Sequence, residues 1–104
     1  MKYFEFANRI YYALIIVDSD DENDAIKKAT NIYVELLEKE GIENRNLESK
    51  PIELIRIEAL SKYLDVLADM TMPDSKFSVL VQEFDAYKNA PALVCRYKTG
   101  NELV

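Results

Sequence analysis

The polarity pattern of the chain centres on one uninterrupted apolar run at residues 11–17, Tyr-Tyr-Ala-Leu-Ile-Ile-Val. Most of its members are β-branched or aromatic, and turn-forming residues follow at once. A short apolar run without polar alternation is typical of a strand that is covered on both faces. We therefore expect this run to form a central strand of a sheet.

The segment before it has a different pattern. Residues 2–6 alternate, so that Phe4 and Phe6 share one face and Tyr3 and Glu5 share the other. A period of two is typical of a half-covered strand. We expect a short edge strand here, joined to the central run by a tight turn at residues 8–9 that would make the two strands antiparallel.

A long helical pattern covers residues 21–40. Ser19 and Glu22 have the spacing of a capping box, which predicts the start of the helix. Gly41 is placed to end the helix in a left-handed conformation. The apolar residues recur at three- and four-residue intervals and gather into one stripe: Ala25, Ile26, Ala29, Ile32, Tyr33, Leu36 and Leu37.

The middle of the chain is polar and then ambiguous. Residues 42–51 are expected to form a surface loop. In residues 52–57 the β-branched content favours a strand, whereas the spacing of Ile52, Ile55 and Ala59 suits a helix that begins at Pro51. We favour the strand, and the helix remains the alternative.

Two more helices and a last strand complete the pattern. A helical stripe begins at Glu58, which is expected to pair with Lys62 on the outer side. Residues 71–75 interrupt this stripe around Pro73. A third helix is predicted over 75–88, and a final strand is predicted over 92–97. The predicted order is β-β-α-β-α-α-β in a single domain, residues 1–104. We expect an α/β fold, a small two-layer sandwich with helices packed on a three- to four-stranded sheet.

Composition limits the classes of partner. The 104 residues include 19 acidic and 13 basic side chains, a net charge of −6. Nucleic acids and anionic membranes are polyanions and should not attract such a protein, so a protein with a basic surface is the expected partner. The single cysteine, Cys95, and the lack of a signal-type segment predict a cytoplasmic protein.

The sequence offers little for catalysis. It contains no histidine, which removes histidine-based triads and most zinc sites. Phosphate-binding glycine loops, the nucleophile elbow and the Cys-x-x-Cys motif do not occur. Cys95 lies among apolar residues and is expected to be a buried, unreactive thiol. We therefore expect a protein without enzymatic activity or cofactor.

Seven tyrosines are many for this length. Tyr12, Tyr33 and Tyr63 lie on apolar stripes and are expected in the core. The other four are less firmly placed, and any that are exposed beside carboxylates would form a protein-binding surface. These are Tyr3, Tyr11, Tyr87 and Tyr97.

Five carboxylates occur between residues 18 and 24. Three of them match the first ligand positions of an EF-hand loop, but Asn23 replaces the turn glycine and Ala29 the final glutamate, so no metal site is expected. Carboxylates at a helix start are favoured by the macrodipole. Their position at the carboxyl end of a central strand, where open α/β sheets place ligands, makes them a candidate partner-binding surface. That surface comprises Asp18, Asp20, Asp21, Glu22, Asp24, Glu35, Glu38 and Glu40.

Three stretches carry a resemblance: Phe4-Glu-Phe6, Tyr11-Tyr-Ala-Leu-Ile15 with the carboxylates that lead to Ala25, and the closing Leu93-Val-Cys-Arg-Tyr97. They resemble small phage- and prophage-encoded proteins of uncharacterised function. The resemblance implies an accessory protein of a mobile element that binds and inhibits a bacterial nucleic-acid-handling or defence complex, as anti-CRISPR proteins do. The alternative is a self-associating structural or regulatory module, a homodimer that pairs through an exposed strand edge.

Overall fold

The computed structural model describes residues 1–7, 11–41, 50–70 and 77–96. It confirms the predicted order of elements and the α/β class. The strands are β1 (Lys2–Ala7), β2 (Tyr11–Val17), β3 (Ile52–Leu54) and β4 (Ala90–Arg96), and the helices are α1 (Glu22–Lys39), α2 (Arg56–Met70) and α3 (Phe77–Ala86). Within the described residues, no helix is both long and apolar enough to cross a membrane.

The four strands form one sheet in the order β3-β1-β2-β4, with every neighbouring pair antiparallel. All seven residues of β2 are buried, which confirms the predicted central strand. The edge position predicted for β1 is wrong, because β3 pairs with its free side. Tyr3 and Glu5 are only 9% and 8% exposed, because α2 and α3 cover the face of the sheet on which they lie.

Helices cover both faces of the sheet. On one face α1 packs against Phe4, Phe6 and the odd-numbered residues of β2. On the other face α2 and α3 pack against Tyr3 and the even-numbered residues of β2. The sandwich thus has three layers, and the expected two-layer arrangement is wrong. A strand buried at every position requires a covering layer on each side.

Helix α1 was predicted over 21–40 and is found at Glu22–Lys39, but its capping residue differs from the one predicted. Asp21 is the N-cap, and its carboxylate accepts a hydrogen bond from the Asp24 backbone N–H at 2.8 Å. The capping box of Ser19 and Glu22 is therefore wrong, and the Ser19 hydroxyl instead donates to the Asp24 carboxylate at 2.8 Å. At the other end Gly41 has φ +70°, which confirms the left-handed ending.

The ambiguous residues 52–57 divide between the two alternatives. Ile52 to Leu54 form β3, and α2 starts at Arg56. The Glu58 carboxylate accepts a hydrogen bond from the Ile55 backbone N–H at 3.0 Å and so closes the first turn of α2. Lys62 had been expected to pair with Glu58. It forms an ion pair with Glu5 of β1 instead.

Strand β4 begins two residues before the predicted start. The pairing with β2 shifts between Leu14 and Ile15, where Leu93 and Pro91 are the partners and Ala92 is left over as a bulge. Proline is tolerated because β4 is an edge strand. The predicted turn at residues 8–9, most of the loop predicted over 42–51, the interruption predicted at 71–75 and Tyr97 lie outside the described residues.

Candidate protein-binding surface

The five carboxylates of residues 18–24 lie together where β2 ends and α1 begins, and we call this group the acidic end. Three of these carboxylates form ion pairs with lysines, which come from β1, from α1 and from the turn before β4. Lys88 Nζ lies 3.1 Å from Asp18 Oδ2, Lys28 Nζ 3.4 Å from Asp24 Oδ2, and Lys2 Nζ 3.3 Å from Glu22 Oε2. The acidic end therefore has a mixed surface with a surplus of negative charge: Asp18, Asp20, Asp21, Glu22 and Asp24 against Lys2, Lys28 and Lys88.

The side chains of Asn89 and Lys28 hold the backbone of Asp18 in place. Its N–H donates to Asn89 Oδ1 at 2.9 Å, and its carbonyl accepts from Lys28 Nζ at 3.2 Å. Asn89 itself has φ 51°, a left-handed conformation that asparagine adopts more readily than most residues. The turn before β4 thus connects the start of the acidic end to β4.

Asp20 is distinct from the other four carboxylates. Asp21 caps α1, and the remaining three form the ion pairs given above. Asp20 is exposed, and among the described residues it takes part in no hydrogen bond or ion pair. Its charge is therefore available to a partner without breaking an internal contact.

The electrostatics of the acidic end extend to β3. The carboxyls of Glu22 and Glu53 approach each other beside Lys2, whose Nζ also lies 3.7 Å from Glu53 Oε2. The closeness of the two carboxyls lowers the pKa of Glu22 and raises that of Glu53, because one member of a like-charged pair ionises more easily than the other. The Ser19 hydroxyl, and after it Lys28, lowers the pKa of Asp24.

The other three predicted acidic residues lie elsewhere. Glu35, Glu38 and Glu40 are exposed at the C-terminal end of α1. With a rise of 1.5 Å per residue, Glu38 is about 24 Å along the helix from Glu22. The eight carboxylates therefore form two separate groups and not one surface.

Ligand sites at the carboxyl ends of strands, as expected for the end of β2, are typical of parallel sheets, and this sheet is antiparallel. What remains is the start of α1, where the macrodipole favours carboxylates in any fold. Within the described residues, no group of three or more histidine, cysteine, aspartate or glutamate side chains is arranged to hold a metal ion.

One exposed feature was missed by the sequence patterns. Ile52, Ile55 and Ile57 are 57%, 64% and 60% exposed, and we call them the isoleucine patch. Their β-branched character had been taken as a sign of a strand over residues 52–57. The chain changes from strand to helix around Ile55, a change that the predicted strand over 52–57 did not include.

A buried polar network was missed as well. The Tyr12 hydroxyl donates to Glu5 Oε2 at 2.9 Å, and Lys62 of α2 forms an ion pair with the same oxygen. Glu5 lies on the face of β1 that α2 and α3 cover. The network therefore holds α2 on the sheet.

The tyrosines are mostly core residues. Tyr12, Tyr33 and Tyr63 are buried as predicted, and burial raises the pKa of Tyr63 to about 12. Tyr3 and Tyr11 are buried too, so they offer no protein-binding surface. Cys95 is only partly buried, and desolvation raises the pKa of its thiol, which keeps it protonated at neutral pH.

Comparison with known proteins places the chain in a family. The family model described as YosH C-terminal domain matches residues 1–92. A search of the curated proteins finds no match. None of the solved structures matches either. Since the family model spans most of the sequence, the chain belongs to the YosH C-terminal domain family.

Proposed function

We propose that this protein is a small cytoplasmic accessory protein of a phage or other mobile element. It has no catalytic activity and acts by protein–protein contact. It binds the basic surface of a bacterial nucleic-acid-handling or defence complex and inhibits that complex, as anti-CRISPR proteins do. A CRISPR effector is the first target to test.

The acidic end carries the proposal. Five exposed carboxylates face three lysines there, and Asp20 has no partner within the described residues. A surplus of exposed negative charge increases the association rate with a basic protein surface and selects against acidic partners. Because lysines are interleaved with the carboxylates, the contact resembles a mixed protein interface more than the uniform charge of a nucleic acid.

The test removes charge without removing the helix cap. In the triple variant D20N/D21N/D24N, asparagine at position 21 caps α1 nearly as well as aspartate. The matched control is E35Q/E38Q/E40Q, which makes the same change in charge at the other end of α1. Purified CRISPR effector–guide complexes are assayed for binding by this protein, and for target-DNA cleavage, over a salt series.

We expect the unaltered protein and the control to bind and to inhibit cleavage, with an affinity that falls as salt rises. The D20N/D21N/D24N variant should lose both activities. Equal binding by both variants would show that the acidic end is not part of the interface. If no complex binds even at low salt, and capture from bacterial lysate retains no basic or nucleic-acid-associated protein, the proposal is wrong.

One observation favours a second function, self-association. Strand β3 is at the edge of the sheet, and the isoleucine patch begins within it at Ile52. A module that pairs with itself at this edge would cover those side chains. Size-exclusion chromatography with light scattering separates the two functions: a dimer that persists at high salt supports self-association, and a monomer supports binding to another protein.

A further inference from the structure

The isoleucine patch is a concentrated apolar surface. Three large aliphatic side chains, each more than half exposed, lie within six residues at the junction of β3 and α2. Single exposed apolar residues are common, but three of them within one six-residue segment are typical of a surface for interaction. The patch is also at the sheet edge, where a partner can approach from the side.

Charge beside the patch is unbalanced. Glu53 lies between Ile52 and Ile55 in sequence, and its carboxylate shares the single ammonium of Lys2 with Glu22. Within the part of the chain that the structure describes, two carboxylates against one ammonium leave a negative charge uncompensated. A second cation at this position would reduce the repulsion between the two carboxylates. The raised pKa of Glu53, caused first by Glu22, agrees with that repulsion.

We propose that the β3 edge binds a segment of a partner protein that carries both aliphatic and basic side chains. The aliphatic side chains cover Ile52, Ile55 and Ile57, and a lysine or arginine approaches Glu22 and Glu53. Successive residues of a strand point to opposite faces, so a segment that lies along the edge contacts Ile52 and Glu53 together. This inference rests on the proposed function and specifies the partner's chemistry.

A second copy of the chain fits this edge less well. Antiparallel pairing of β3 with itself about its middle residue would place Glu53 opposite Glu53, and like charges directly opposite are destabilising. Strand β3 has only three residues and follows Pro51, two features that limit strand pairing at an edge. The surplus negative charge favours a basic partner instead.

The test is a nuclear magnetic resonance titration of the full ¹⁵N-labelled chain. The probe is an acetylated peptide of alternating leucine and lysine. Two matched peptides replace either the leucines by serine or the lysines by glutamate. The variants are I55S/I57S and E53Q, and the control is V79S, which alters an exposed valine on α3. All the altered side chains are solvent-exposed, so the variants should fold, which their spectra will show directly.

We expect the leucine–lysine peptide to shift resonances of residues 52–58, Lys2 and Glu22. The I55S/I57S variant should weaken binding about tenfold or more. E53Q should weaken it less and reduce its salt dependence, while V79S binds normally. Neither matched peptide should bind as tightly, because each lacks one of the two kinds of contact.

The remaining outcomes overturn the inference. Shifts confined to residues 18–24 would contradict the β3 edge and leave the acidic end as the binding surface. If resonances shift at neither place, neither the β3 edge nor the acidic end is the binding surface. A concentration-dependent dimer that I55S/I57S abolishes would show that a second copy covers the patch.

Discussion

At the scale of single residues, the most constrained group is the carboxylate of Glu5. It lies in the interior of the protein, where an ionised group without partners is strongly unfavourable. Tyr12 and Lys62 supply a hydrogen bond and an ion pair to one of its oxygens. Because the three residues belong to β1, β2 and α2, one buried carboxylate links three elements.

Replacing Lys62 by methionine should therefore destabilise the fold. The change leaves the buried charge of Glu5 with one partner fewer, at a cost of about 1–3 kcal/mol. The side chain of Lys62 is 46% exposed, which favours the lower part of that range. Urea unfolding measures the loss. Lys27→Met, on the exposed side of α1, is the control. Equal effects of the two changes would contradict the role assigned to Glu5.

The Asp24 carboxyl predicts a pH effect. Its pKa is lowered in the folded protein, first by the Ser19 hydroxyl and then by Lys28. A lowered pKa stabilises the fold above the unfolded value of about 3.9, and this contribution is lost as the pH falls through the folded value. Ser19→Ala should move the pKa of Asp24 upward, toward its ordinary value. Carbon-detected titration of the side-chain carboxyl measures this, with Ser61→Ala as the control. An unchanged pKa would contradict the hydrogen bond.

At the scale of elements, α1 depends on the cap at its first turn. The Asp21 carboxylate satisfies the Asp24 backbone N–H, which has no partner within the helix. Asp21→Ala should therefore lower the free energy of unfolding by about 1 kcal/mol, whereas Asp21→Asn should change it little. Thermal unfolding checks both, and Asp20→Ala is the control. If Asp20→Ala were as costly as Asp21→Ala, the cap would be misassigned.

Helices α2 and α3 are joined by a contact that also reaches the sheet. Arg56 donates to both oxygens of Asp85, at 2.8 and 2.7 Å, and its guanidinium lies 5.9 Å from the centre of the Phe84 ring. The Phe84 ring in turn stacks on Tyr3 at 5.6 Å. This sequence of contacts explains why Tyr3, which the alternation in β1 had placed on an outer face, is buried.

At the scale of the whole molecule, two cores share one sheet. Leu14 faces α2 and α3, and the next residue, Ile15, faces α1. Leu14→Ala and Ile15→Ala should each cost about 2–5 kcal/mol, because both leave a cavity in a closely packed layer. The two cores are continuous through β2, so each variant should still unfold in one transition. Circular dichroism and tyrosine fluorescence should therefore report the same midpoint. Separate midpoints would mean that the cores unfold independently.

Binding to a partner also depends on the whole molecule, because the fold decides where charges and exposed apolar groups lie. The acidic end combines carboxylates that are adjacent in sequence, whereas its lysines come from β1, α1 and the residue before Asn89. Local sequence shows the carboxylates and Lys28, which lies four residues after Asp24, but it does not show that Lys2 and Lys88 pair with them. The net charge that a partner meets is therefore smaller than the run of carboxylates suggested.

The sequence by itself determined the local elements of this protein. The apolar run of β2, the stripe of α1 and Gly41 were readable because hydrophobic period and backbone preference act over a few residues. Only the tertiary structure decided that β3 covers the second edge of β1 and that the sandwich has three layers. It also exposed Ile52, Ile55 and Ile57 while burying Glu5. These outcomes depend on contacts between segments about fifty residues apart, and no local pattern encodes which segment will supply the cover.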